Sequence, residues 1–173
     1  MLPFGPMIAA VMLASPAGDP FTLKSAAFAP GGAVPSVHTC DGADTSPPLE
    51  WSGVPAGTRS FALVVHDPDA PAGDWLHWVA WNIPAASRAL PAGVAAKETL
   101  PDGTAQGRND FGNQGYGGPC PPGGTHRYVF SLRALDTTLT LPATASRDAV
   151  EKAIRGHVLD TAELTGTYQR KRR

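Results

Sequence analysis

Phe61-Ala62-Leu63-Val64-Val65-His66-Asp67-Pro68-Asp69-Ala70-Pro71 is the stretch that decides the fold class. Phe61 to Val65 are all apolar and rich in strand-forming residues, which predicts a buried β-strand. The strand then runs into two acids that flank Pro68. A residue before proline is pushed toward extended backbone, and each proline fixes its own φ. Residues two apart in an extended stretch share a face, so Asp67 and Asp69 are expected to point the same way from a stiff strand end. Acids at such a place are costly unless they find donors. Asp-Pro is also ordinary turn chemistry, and taken alone the stretch reads better as a turn.

Working outward, His77-Trp78-Val79-Ala80-Trp81-Asn82-Ile83 predicts a second strand, stopped by Pro84. His126 to Leu135 alternates, with Tyr128, Phe130 and Leu132 on one face and Arg127, Ser131 and Arg133 on the other. Shorter strands are expected near Phe21–Leu23, Leu49–Trp51 and Ala162–Tyr168. One helix is expected after Ser146, which can cap it. Asp148 sits in its first turn, and Val150, Ile154 and Val158 form one apolar stripe. A weaker helix between Ala85 and Ala96 is opposed by Pro91 and Gly93. Pro101–Gly124 carries eight glycines and four prolines and is expected to be irregular. A loop that long in a compact domain is often functional.

The composition agrees with a mostly β fold. There are 19 glycines and 18 prolines in 173 residues, too many for a helical bundle and suited to many strands joined by turns. No internal repeat or linker divides the chain, whose length suits one domain. The expected division is an N-terminal extension at 1–20, a domain at 21–169 and a basic tail at 170–173. Fourteen Lys and Arg balance fifteen Asp and Glu, so there is no electrostatic case for nucleic acid. No stretch reaches the ~20 apolar residues of a membrane span. Met7 to Ala14 is apolar and is followed by Ser15-Pro16-Ala17, but the basic start of a signal peptide is missing. A cytoplasmic location is therefore expected, with export if that run is a signal. Cys40 and Cys120 both lie beside loops expected to come near one another, which leaves a disulfide open, but the poor export signal favours two free thiols.

Two further stretches carry chemistry beside the Asp-Pro-Asp element. Trp75-Leu76-His77-Trp78 puts an imidazole at a strand start, where a lone His is more often structural than functional. Tyr116-Gly117-Gly118-Pro119-Cys120-Pro121-Pro122-Gly123-Gly124-Thr125-His126-Arg127-Tyr128 feeds a glycine- and proline-rich loop into a strand that begins with His126 and Tyr128. Glycines let backbone N–H groups approach a ligand, and prolines preorganise the loop.

Taken together, these elements resemble the phosphatidylethanolamine-binding proteins, in particular the bacterial branch called Raf kinase inhibitor-like. Thr39-Cys40-Asp41-Gly42, Ser46-Pro47-Pro48-Leu49-Glu50-Trp51 and Gly107-Arg108-Asn109-Asp110-Phe111-Gly112 extend the match, which runs from Phe21 to Tyr168. The resemblance implies an antiparallel β-sandwich with a few peripheral helices, one of them near the C-terminus. It also implies a small pocket at one sheet end that accepts phosphate-type anions, including phospholipid head groups. Carried over by position, the ligand-binding set is Asp67, Asp69, Trp75, His77, Cys120, Pro121, Pro122, His126 and Tyr128, with Cys120 standing where animal members have glycine. The C-terminal segment that helps to cover the pocket in the animal members is expected to be absent or different here.

The set makes physical sense as an anion site. Two imidazoles can donate to phosphate oxygens, most strongly when protonated. The carboxylates are expected to accept a ring N–H from each His, fixing its tautomer and raising its pKa. Trp75 and the prolines supply an apolar wall. The expectation is a non-enzymatic binder of a small anionic or phosphorylated ligand, with no cofactor and no identifiable protein partner. The alternatives are a hydrolase or metal-dependent enzyme using the same Asp and His residues, or a protein-inhibitor scaffold. Against the enzymes, the usual metal-ligand spacings, a nucleophile elbow and a phosphate-binding P-loop are missing from the sequence.

Overall fold

The structure, a computed structural model, describes residues 18–170. Eight strands, one α-helix and a short 3-10 helix (Ser36–His38) lie among the described residues, the strands and α-helix being, in chain order, β1 (Thr22–Lys24), β2 (Leu49–Ser52), β3 (Ser60–Asp67), β4 (Trp75–Pro84), β5 (Ala89–Leu90), β6 (Ala105–Gln106), β7 (His126–Leu135), α1 (Arg147–Ala153) and β8 (Val158–Tyr168). They form two antiparallel sheets, of order β1-β2-β5 and β6-β4-β3-β7-β8.

β3 lies in the middle of the larger sheet, and both of its faces are covered. Phe61, Leu63 and Val65 point into the layer between the sheets, where Trp51 from β2 meets Phe61 edge-on at 5.4 Å. Ala62 and Val64 face the other way, against Val150 and Ile154 from the helical segment. This double burial is why the strand is apolar at consecutive positions. β7 has one mostly buried face and one mixed face, so it alternates. Tyr128, Phe130 and Leu132 enter the inter-sheet core, while Arg127 stays exposed.

The helix is shorter than its apolar stripe suggests. Ser146 Oγ caps it by accepting from the Ala149 N–H at 3.2 Å, and Ile154 is its C-cap. Gly156 then takes φ +79°, a left-handed turn that ends the helix. Val158 opens β8 and is 41% exposed. Pairing along the length of β7 outweighs local helical periodicity there. The stretch from Ala85 to Ala96 holds β5 and turns but no helix.

Cys40 and Cys120 form a disulfide, with Cα atoms 5.4 Å apart, which corrects the expectation of free thiols. Nothing local to either cysteine signals the pairing, because 80 positions separate them. Tertiary contacts bring their loops together. The Cys40 N–H donates to the Pro119 carbonyl at 3.1 Å, and the Gly118 N–H donates to Asp44 Oδ1 at 2.7 Å. No helix among the described residues is long and apolar enough to cross a membrane. The expected N-terminal extension lies almost wholly outside the described residues, as does most of the basic tail.

The disulfide is directly testable. Thiol titration of the protein unfolded without reductant is expected to find no free sulfhydryl, and two after reduction. Two titratable thiols before reduction would remove the bond from the account.

Candidate functional site

Three adjacent strands of the large sheet, β4, β3 and β7, bring the chemistry-bearing residues to one end. A cavity of about 270 Å³ opens there. Asp67 ends β3, and Trp75 and His77 lie at the start of β4. Cys120, Pro121 and Pro122 form one wall, Ala70, Pro71 and Ala72 another, and Phe111 stands at the rim. Six of the nine expected residues thus line the cavity, and three do not.

Asp69 is the first of those three. Its backbone N–H donates to Asp67 Oδ1 at 2.8 Å, which bends the chain into an Asx-type turn. The extended geometry expected from the prolines therefore breaks at Pro68. Asp69 faces Arg127 instead, accepting from Nε at 2.9 Å, Nη2 at 2.7 Å and the backbone N–H at 2.9 Å. Those bonds hold its carboxyl well below the usual carboxylate range.

His126 is the second. Its Nδ1 meets Asp67 Oδ2 at 2.7 Å, and its Nε2 meets the Gly123 carbonyl at 3.1 Å. Both ring nitrogens face oxygen acceptors, so neither is left for a ligand. Tyr128, the third, lies behind the cavity, edge-on to the His77 ring at 5.1 Å. Its buried hydroxyl forms no well-aligned hydrogen bond. Burial, and then the nearby Asp67 charge, push its pKa up.

His77 is the one imidazole that serves the cavity. It is 2% exposed, and its Nδ1 donates to the Gly117 carbonyl at 2.6 Å. A carbonyl can only accept, so the proton sits on Nδ1, and Nε2 carries a lone pair with no hydrogen-bond partner among the described residues. Burial pushes the pKa of this ring down, and the Gly117 carbonyl and the Asp67 charge offset that only in part. The expectation that a carboxylate holds each imidazole therefore survives for His126 alone. His77 is held by backbone, and its pKa moves in the opposite direction to the one expected.

Two site residues had no assigned role in the sequence. Phe111 is 42% exposed and packs edge-on against Trp75 at 5.5 Å and His77 at 5.3 Å. Asn109 is buried and organises the loop that carries Phe111. Its Oδ1 accepts from the N–H groups of Phe111 and Asn113, both at 3.1 Å, and its Nδ2 donates to the Gly115 carbonyl at 3.0 Å. The Gly117 N–H donates to the His77 carbonyl at 2.9 Å, so the loop and the start of β4 grip each other through one residue pair. A Cβ on Gly117 would lie 2.8 Å from the Phe111 ring and 2.9 Å from Asn109 Nδ2, which is why this position needs glycine. The only advance sign of these roles was an aromatic residue inside a glycine-rich loop, with no periodicity to place it.

Among the described residues, no three His, Cys, Asp or Glu side chains converge as a metal-binding group. A second, polar hollow lies beside α1, lined by Asp74, Asp110, Asp148, Arg108 and Arg147. There Arg147 and Asp74 are already paired at 2.7 Å.

Residues 24–169 match the family model described as phosphatidylethanolamine-binding protein. The UPF0098 protein of Methanothermobacter thermautotrophicus is 53% identical over 148 residues, covering 86% of this chain and 98% of the relative. The crystal structure of Escherichia coli YbcL, described as a member of the mammalian PEBP family, superposes with TM-score 0.80 at 41% identity, covering 87% of this chain and 99% of that one. CT736 of Chlamydia trachomatis, described as a homologue of the same family, gives TM-score 0.81 at 36% identity, over 87% of this chain and 98% of its own.

Replacing Asn109 by Ala leaves two N–H groups and one carbonyl without partners. Only the Gly115 carbonyl is buried, while Phe111 and Asn113 are exposed and water can reach their N–H groups, so the expected loss is about 1–3 kcal/mol, the cost of one buried polar group left unpaired. Denaturant unfolding of Asn109→Ala measures it, and a change below about 0.5 kcal/mol would contradict the role given to Asn109.

Proposed function

The chain belongs to the phosphatidylethanolamine-binding protein family, and from that premise we propose that its cavity binds a small oxyacid or singly charged anion without turning it over. Inorganic phosphate and a phosphoester head group, free or attached to a lipid, share the chemistry required. The observation that carries the reading is the unpartnered Nε2 of buried His77 beside a cavity with no cationic side chain in its lining.

A dianion would meet an uncharged ring and the Asp67 carboxylate, so it is a poor ligand as it stands. One proton corrects this. Either the ligand keeps its proton and donates it to Nε2, or His77 takes up a proton and donates in return. Binding is therefore coupled to one proton in both cases. The apolar surfaces of Trp75, Phe111, Pro121 and Pro122 exclude water, which strengthens that single contact.

The lining also supports binding over covalent chemistry. It contains no hydroxyl, no amine and no free thiol, because Cys120 is in the disulfide. The nearest carboxylate and the second imidazole are committed to each other.

The sign of the pH dependence follows from His77. Its free-state pKa lies below the usual 6.5, and a bound anion raises it. Between those two values, affinity rises as pH falls, by up to about tenfold per unit for one proton. Below the free-state value the protein's contribution levels off. Calorimetry with inorganic phosphate and phosphoethanolamine at pH 5.5 and 8 is expected to show tighter binding at the lower pH. His77→Asn, which keeps a donor near Gly117 but removes Nε2, is expected to abolish that gain. Equal affinity at both pH values would contradict the reading. So would phosphoester or acyl-ester turnover by the wild type that disappears in His77→Asn.

A further inference from the structure

The cavity wall formed by Cys120, Pro121 and Pro122 is tied to the rest of the molecule in an unusual way. Pro121 and Pro122 have no backbone N–H to donate. The Pro119 carbonyl accepts from Cys40, and the Gly123 carbonyl faces His126. Between those two points, no hydrogen bond among the described residues reaches the three wall residues. The Cys40–Cys120 bond is therefore the one specific tie that holds the wall over His77. Cys40 itself is exposed, and Cys120 is half-buried and lines the cavity.

We propose that the oxidation state of the Cys40–Cys120 pair controls the affinity of the anion pocket, the oxidised form being the tight-binding one. This inference rests on the reading that the ligand's acid group sits at His77. The reductant is a dithiol. One of its thiolates attacks the accessible Cys40 Sγ, and the Cys40–Cys120 bond breaks. Cys120 Sγ leaves as a thiolate and takes a proton. The second thiol of the reductant then closes on the first, releasing Cys40 as a thiol. Two electrons pass to the protein, and the dithiol becomes a disulfide.

Reduction leaves the sheets intact, because neither cysteine lies in a strand. The buttress opposite the wall also keeps its own bonds. Tyr116 Oη donates to the His38 carbonyl at 2.8 Å, and Gly118 remains bonded to Asp44. What reduction frees is the diproline segment alone. Water then reaches His77, and the loop must be reordered each time a ligand binds, which costs affinity.

The test is calorimetry with inorganic phosphate on three samples: the oxidised protein, the same protein reduced by dithiothreitol with its thiols counted, and the reduced protein reoxidised. Affinity is expected to fall at least tenfold on reduction and to return on reoxidation. Cys40→Ser is expected to bind as the reduced protein does, and to ignore dithiothreitol. Near-UV circular dichroism follows the fold in every sample. Equal affinity in the oxidised and reduced forms overturns the switch while leaving the anion-binding reading in place. Loss of the native near-UV spectrum on reduction also overturns it, since the bond would then be a staple for the whole domain. An oxidised protein that fails to bind phosphate at either pH 5.5 or 8 removes the anion-binding reading and the switch together.

Discussion

The hydrogen bond from His77 Nδ1 to the Gly117 carbonyl is the contact on which the candidate site depends. It joins the start of β4 to the irregular loop that follows β6. It also settles which ring nitrogen carries the proton. Once Nδ1 is committed to a carbonyl, Nε2 is an acceptor by default, and the cavity receives a lone pair instead of a donor. The bond demands that backbone come very close to the ring, and the space at Gly117 admits no side chain. Loop, tautomer and cavity chemistry are thus three consequences of one contact.

The carboxylates beside it are engaged by other side chains: Asp67 is hydrogen-bonded to the His126 ring, and Asp69 is paired with Arg127 on the surface. Each pair satisfies groups that would be expensive to bury or leave unpaired. What remains for the ligand is one imidazole nitrogen in a largely apolar enclosure. On the proposed reading, a site of this kind selects by protonation state more than by charge, unlike arginine- or lysine-lined pockets that grip phosphate dianions. In such a site the position of the apolar walls matters as much as the polar atom. The Phe111 rim and the diproline wall are held by quite different means: a buried Asn109 for the first and a disulfide for the second.

Much of this was legible in the sequence, for identifiable reasons. β3 could be read because burial on both faces leaves an unbroken apolar run, and β7 because one mostly buried face imposes alternation. The lining role of Trp75, His77, Pro121 and Pro122 followed from the family resemblance and from their places at strand starts and in a stiff loop. The errors have a common physical origin. The i, i+2 rule put Asp67 and Asp69 on one face, but it holds only while the backbone stays extended, and a single Asx-type bond redirected Asp69. The donors assigned to His77 and His126 depended on which loop carbonyls approach their rings, and those carbonyls come from Gly117 and Gly123, in a segment without periodicity. The disulfide and the Asn109 scaffold are likewise long-range or loop-internal arrangements. Val158 shows the reverse failure, a helical spacing overruled by strand pairing.

The central claim is that His77 presents an unprotonated Nε2 to the cavity and gains a proton contact when an anion binds. Nitrogen-15 NMR of the His77 ring tests this directly. In the free protein at pH 7.5, Nδ1 is expected to give a pyrrole-type shift with a slowly exchanging proton, and Nε2 a pyridine-type shift. Saturating phosphate at pH 6 is expected to move Nε2 toward the protonated or strongly hydrogen-bonded range while Nδ1 stays in place. A free-state spectrum with the proton on Nε2, or an Nε2 shift that saturating phosphate leaves unchanged, would contradict the account.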